Sequence, residues 1–216
     1  MKRVVLEYLR GRGFRDAFWL CLGAGIQLLR GLTHGYWPVF IGRGVRITAR
    51  STVKIGRFTR IEDFVELDGY GNEGLVIGAR CKIGKYSLLK VAPSPHVFGA
   101  GIRIASHTAL AEFCYVGGAA LVTIGENCAI GQYVSIHPQD HLPWQEGGVQ
   151  VRSVGIEIGS DNWIGAKSTL LDGCSLGSAC MVAAGAVVRG RFGDRVLIAG
   201  VPAVEKKRLH APADRR

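Results

Sequence analysis

Ile158, Ile164, Leu170, Leu176, Val182 and Val188 follow one another every six residues without a slip. The same spacing runs through Ile124, Ile130 and Ile136, through Ile104, Leu110 and Val116, through Ile77, Ile83 and Leu89, and through Ile55, Ile61 and Leu67. A six-residue period fits neither an amphipathic helix nor a long alternating strand. It describes one small unit stacked many times: a short strand, a turn, and another short strand, each directing one aliphatic side chain inward. Two places before the next anchor stands a small residue, Ser168, Cys174, Cys180 or Ala186, with Asn162 as the exception. Glycine directly follows many anchors (Gly56, Gly78, Gly84, Gly125, Gly131, Gly159, Gly165, Gly177) and is expected to ease tight corners where other residues strain. The pattern predicts a mainly β chain, a parallel β-helix.

The interruptions are equally informative. Triplets of anchors begin at 55, 77, 104, 124, 158 and 176, and a three-sided coil needs eighteen residues. The surpluses of 4, 9, 2, 16 and 0 residues all fall after the third anchor of a triplet, so every excursion is expected at one corner. The first carries Asp68 to Asn72, the second Pro93, Pro95 and His96, and the largest spans His137 to Gly155. A long loop without an apolar period of its own is usually functional or disordered, and loops on one side of a solenoid often form its binding surface.

The net charge of +10 is unevenly placed: residues 1–36 hold +4, residues 204–216 hold +3, and the repeat body the remaining +3. The body lacks a broad Lys/Arg stripe with interleaved aromatics, which argues against nucleic acid as a partner. Basic ends suit solvated termini, a phosphate-bearing ligand or an anionic membrane surface. Five of the six cysteines, Cys81, Cys114, Cys128, Cys174 and Cys180, fall in the small inward slot and read as core packing. No Cys-x-x-Cys pair exists, so no metal site is expected, and reduced buried thiols suit a cytoplasmic protein.

Three segments follow: an N-terminal helical capping segment over 1–36, the β-helix over 37–203, and a basic C-terminal tail over 204–216. The apolar stretch from Ala17 to Leu32 is broken by Gly23, Gly25, Gln27 and Arg30. It falls short of the roughly 20 apolar residues of a membrane span and lacks a clear signal-peptide cleavage site. A helix over 2–32 is expected to cap the open end of the solenoid. The alternative is a monotopic helix making peripheral contact with the inner face of a membrane.

The segments Ile158 to Ala166 (with Asn162-Trp163-Ile164-Gly165), Leu171 to Gly177, Ala183 to Val188 and Ile198-Ala-Gly-Val-Pro-Ala203 resemble the hexapeptide-repeat acyltransferases. The likeness covers about residues 41–208. It is greatest to the branch holding maltose and galactoside O-acetyltransferases and the polysaccharide O-acetyltransferases of bacterial envelopes. The resemblance implies a left-handed parallel β-helix, against the usual right-handed crossover rule, assembled as a homotrimer with sites between subunits. It further implies acetyl-CoA as donor and histidine as general base, a role suited to imidazole because its pKa lies near neutrality.

The resemblance points to His141 as that base, with His137 as competitor and Asp140 as a group that could orient the ring. It assigns Ala166 and Ala184, beside Trp163, to the pantetheine arm, and Lys207, flanked by Lys206 and Arg208, to the CoA phosphates. Arg189 stands where relatives carry a Thr-Lys pair and is a further phosphate candidate. Relatives acting on free sugars keep an Asn and an Asp before the Ile124 coil, where this chain reads Ala111 to Ala120. That departure argues against free galactoside or maltose and leaves Glu112 and Tyr115 as candidate acceptor contacts. Trp144 and Glu146 could hold a sugar ring, and His96 and His107 could line the acceptor site. The expected activity is O-acetylation of a saccharide, an exopolysaccharide or lipopolysaccharide precursor. The alternatives are N-acetylation of a nucleotide-linked amino sugar, a noncatalytic scaffold, or a γ-carbonic-anhydrase-like metal protein using His107, His137 and His141.

Overall fold

The computed structural model describes residues 14–92, 94, 97–143 and 150–210. His96, Trp144 and Glu146 therefore lie outside the described residues, as do the first part of the expected helix and the end of the tail. From Phe40 onward the chain forms three parallel sheets, each taking a strand from successive coils. The first sheet runs from Phe40–Ile41 through Trp163–Ile164 to Val196–Gly200, the second from Arg46–Thr48 through Ser135–His137 to Val187–Val188, and the third from Val53–Ile55 through Ile156–Ile158 to Arg191–Phe192. The anchors stack in register: Ile61, Ile83, Leu110, Ile130, Ile164, Val182 and Ile198 form one inward column of the first sheet. They are buried, and each contributes about 1.5–3 kcal/mol of hydrophobic stabilisation. Every excursion leaves between the second and third sheets, as the surpluses predict.

The inward slots do more than save space. Before the first sheet they alternate Thr59, Cys81, Thr108, Cys128, Asn162 and Cys180, all buried. Thr59, Thr108 and Asn162 accept the backbone N–H of Cys81, Cys128 and Cys180 at 3.1, 3.1 and 2.7 Å. Those three thiols in turn donate to Ala105, Gly159 and Gly193 carbonyls one coil on, at 3.1, 3.2 and 3.1 Å. Asn162, the exception in size, is accommodated because its amide also donates to Gly159 and Gly177 at 2.8 and 2.9 Å. Burial pushes the Cys114 thiol up to about 11 and that of Cys174 to about 12, so both are unreactive at neutral pH.

The glycine expectation needs correction. Gly125, Gly131 and Gly165 do not take the left-handed conformation. They are small because the next coil passes too close: a Cβ on Gly131 would lie 2.6 Å from the Ala166 nitrogen. The left-handed corner residues are two places further on and are often bulky, among them Phe64, Tyr86, Phe113 and Tyr133 with φ of 59, 59, 60 and 59°. At the corner between the first and second sheets those four rings stack on one another at 5.2, 5.2 and 4.9 Å. Their mutual packing offsets a backbone conformation that side chains of this size rarely adopt.

Helix α1 spans Phe14–Thr33 and packs on the first strand of the solenoid. Gly31 permits that approach, since a Cβ there would strike the Val39 carbonyl oxygen. Gln27 accepts a hydrogen bond from Arg60 at 3.0 Å. At the other end Ala203–Arg208 is a strand antiparallel to Val196–Gly200, so the boundary set at 203/204 falls inside a hairpin that closes the first sheet.

Candidate active site

The residue after each third anchor projects outward from the second sheet, next to the corner where the excursions leave. In chain order these residues are Asp68, Lys90, Gly117, His137, Leu171 and Arg189, with Lys90 paired to both Asp68 and Gly117 and His137 to Leu171. Gly117 leaves room for a neighbour's ring: a Cβ there would come within 3.2 Å of Pro138 and 3.3 Å of the Tyr115 hydroxyl. Tyr115 uses that room to stack on His137, ring centroids 5.0 Å apart and planes 29° from parallel. The His137 ring borders a cleft of about 780 Å3, whose lining includes Lys90, Phe98, Tyr115, His141 and Val151. His137 is an exposed residue, and partial desolvation of its ring lowers the pKa from the ordinary imidazole value.

The excursion begins and ends in a small hairpin in which Asp140 and His141 pair with Arg152 and Val151. His141 is exposed and borders the same cleft. Asp140 turns to cations rather than to either imidazole: it accepts from Arg189 at 2.5 Å and Arg152 at 3.2 Å. The Arg189 hydrogen bond, ahead of the Arg152 charge, holds the Asp140 carboxyl below its ordinary range. Arg152 also bonds the fully buried Asp172 side chain at 3.2 Å. The other Asp172 oxygen accepts the backbone N–H groups of Val154 and Gly155 at 2.7 and 2.9 Å. Asp172 thus clamps the point where the excursion rejoins the third sheet.

Removing the clamp takes the partner from two backbone donors, that of Gly155 buried and that of Val154 part-buried. Asp172→Ala is expected to cost about 3 kcal/mol, seen as raised hydrogen exchange at Val154 and Gly155 and as a lower melting temperature. Unchanged exchange there would show that the carboxylate is dispensable.

The remaining residues named from sequence lie elsewhere on the chain. Trp163 is exposed on the first sheet, and Lys207 is exposed on the strand that closes it. Ala166 and Ala184 sit at the corner between the first and second sheets, beside Gly131 and Gly165. His107 occupies the corner between the third and first sheets, and Glu112 the one between the first and second, both away from the cleft. Among the described residues no three His, Cys, Asp or Glu side chains converge to hold a metal ion. Lys90, Arg152 and Asp172 escaped the sequence reading. Lys90 was within its reach, because it shares with His137 the position after a third anchor.

Residues 155–190 match the family described as bacterial transferase hexapeptide (six repeats). The chain is 28% identical over 170 residues to the probable acetyltransferase Rv3034c of Mycobacterium tuberculosis, covering 76% of this chain and 48% of that protein. It is 29% identical over 126 residues to the putative lipopolysaccharide biosynthesis O-acetyl transferase WbbJ of Escherichia coli K12, covering 52% of this chain and 64% of that protein. The chain therefore spans about half to two thirds of the length of these relatives. The fold is shared with the hexapeptide-repeat containing acetyltransferase VCA0836 of Vibrio cholerae, solved with acetyl coenzyme A, at a TM-score of 0.55 and 24% identity over 62% of this chain and 71% of that one. Its six-residue period, interrupted only by the excursions, and its three parallel sheets extend over most of the chain the hexapeptide-repeat architecture that the family model matches at residues 155–190.

Proposed function

We propose that the protein transfers an acetyl group from acetyl-CoA to a hydroxyl of a saccharide, a precursor of a bacterial exopolysaccharide or lipopolysaccharide. The observation that carries this reading is the imidazole of His137, stacked on Tyr115 at the edge of a cleft large enough for a sugar. His137 takes the acceptor's hydroxyl proton as that oxygen attacks the thioester carbonyl. The tetrahedral intermediate then collapses, the C–S bond breaks, and the CoA sulfur recovers the proton from the imidazolium. No covalent enzyme intermediate is involved. This reading moves the base from His141, favoured by resemblance, to His137, because His137 extends a strand of the solenoid and its ring stacks on Tyr115, although both residues are exposed. The saccharide class rests on WbbJ, a relative named for lipopolysaccharide O-acetylation.

The donor side fits as well. Ala166 and Ala184 present small side chains along one corner, where an extended pantetheine arm can lie against the coil. Lys206, Lys207 and Arg208 are exposed on the closing strand and supply charge-assisted bonds for phosphates. Arg189 is instead engaged by Asp140, a residue of the cleft lining. Within one chain the donor residues and the cleft are on different sides of the solenoid. A homotrimer would bring the corner of one subunit against the cleft of the next, and that separation supports a site shared between subunits.

The test is release of free thiol from acetyl-CoA with a panel of saccharide and amino-sugar acceptors. Turnover with hydroxyl acceptors supports the proposal; turnover confined to amines would replace it with N-acetylation. Because burial lowers the His137 pKa, the acid limb of kcat/KM should have its midpoint below the ordinary imidazole value of about 6.5. Activity then persists to lower pH than a solvated imidazole would allow. Tyr115→Ala exposes the ring and should move that midpoint upward. A limb that stays in place would show that Tyr115 does not set the protonation of the base.

A further inference from the structure

We propose that the N-terminal end of the solenoid docks on an anionic phospholipid bilayer, with α1 and Trp37 in the interface and the cations of the first coil over the headgroups. The less exposed positions of helix α1 are Ala24, Gln27, Leu28, Arg30 and Gly31, and it meets the solenoid where Gln27 bonds Arg60 and Gly31 lies against Val39. It leaves Phe18, Trp19, Leu29 and Leu32 at 54, 63, 63 and 55% exposure, with Trp37 just beyond it at 61%. Such a concentration of uncovered large apolar side chains marks an interaction surface. Among the described residues no helix is long and apolar enough to cross a membrane. A helix of this kind lies in the interfacial plane, where tryptophan is favoured.

The charge distribution selects the occupant. Residues 1–61 hold twelve Lys/Arg against two acidic residues, while residues 62–216 hold fifteen of each. The whole net charge of +10 is therefore carried by the end of the chain that bears α1. Residues 38–61 contribute Arg43, Arg46, Arg50, Lys54, Arg57 and Arg60 and no carboxylate. The first five of these are exposed, and they are spread around the coil rather than along one face. The acidic partner of Arg46, Glu66, is 3.1 Å away on the surface, with side chains 78 and 50% exposed, too wet to cancel the field. A second copy docked end to end would cover α1 but would oppose like charges. A nucleic acid would use the cations and leave the apolar helix in water. An anionic bilayer satisfies both.

The experiment is co-sedimentation of the full chain with vesicles of equimolar phosphatidylglycerol and phosphatidylcholine, against vesicles of phosphatidylcholine alone. Binding is expected to the anionic vesicles only, to weaken as salt rises, and to shift tryptophan fluorescence to the blue. The double variant Trp19→Ser with Leu29→Ser should lower the partition coefficient roughly tenfold or more, as should Arg43→Ala with Lys54→Ala and Arg57→Ala. Circular dichroism confirms that each variant is folded. The proposal is overturned if the chain binds neither vesicle or both equally. It is also overturned if Trp19→Ser lowers the solution mass without affecting vesicle binding, because the helix then serves a second copy. Tight binding to duplex nucleic acid with none to vesicles would overturn it as well.

Discussion

Replacing His137 by alanine is expected to lower kcat/KM for acetyl transfer by about 10²- to 10⁴-fold, the usual worth of a general base. The side chain projects from the second sheet into the cleft and fills no part of the core, so thermal stability should hold. Donor binding should hold too, since the residues proposed for the donor, Trp163, Ala166, Ala184 and Lys207, are placed elsewhere on the coil. His141→Ala should cost far less, because that ring lacks the Tyr115 contact. Steady-state kinetics on both variants decide between them. A larger loss at His141 would return the base to the hairpin. Full activity in both would remove histidine from the mechanism altogether.

Gly165→Ala is expected to destabilise the solenoid by about 3 kcal/mol, a fall in melting temperature of roughly 6–12 °C. The added Cβ would lie 2.5 Å from the Ala184 nitrogen, 2.7 Å from the Val182 oxygen and 2.8 Å from the Ala183 carbonyl carbon. All three are backbone atoms of the next coil, and none is a flexible tip that can swing aside. Separating the coils would also break the hydrogen bond from the Gly165 N–H to the Val182 oxygen at 2.8 Å. Gly185→Ala is the contrast. Gly185 has a φ of +71° with nothing near its missing Cβ, so alanine there should cost only about 1–2 kcal/mol of backbone strain. Thermal melts of the two variants test the order. A greater loss at Gly185 would mean that corner conformation, rather than the spacing between coils, governs these glycines.

These two variants also mark how far the sequence could be read. The six-residue period named Gly165 as special, but attributed its need to the corner. Its true constraint is the coil stacked above, which contacts it from eighteen or so residues away in sequence. The period likewise put Cys81, Cys128 and Cys180 inward, and they are buried. It could not show that each thiol and the neighbouring Thr or Asn complete one hydrogen-bonded column. In the excursion, two histidines within five residues were visible as a pair. The proposal of His137 rests on Tyr115, which precedes it by twenty-two residues and reaches it because Gly117 has no side chain.

The sequence by itself determined the stacked coils, the inward slots and the corner at which every excursion leaves, because a strict period decides which side chains point inward. Only the tertiary structure decided what the outward side chains meet. It set Lys90, Tyr115, His137 and Arg189 around one corner, tied Asp140 to two arginines, and left the residues proposed for the donor on another side of the coil. The physical reason is that an outward residue is defined by neighbours one coil away. Their distance along the chain changes with every excursion, so the period that orders the core carries no record of them.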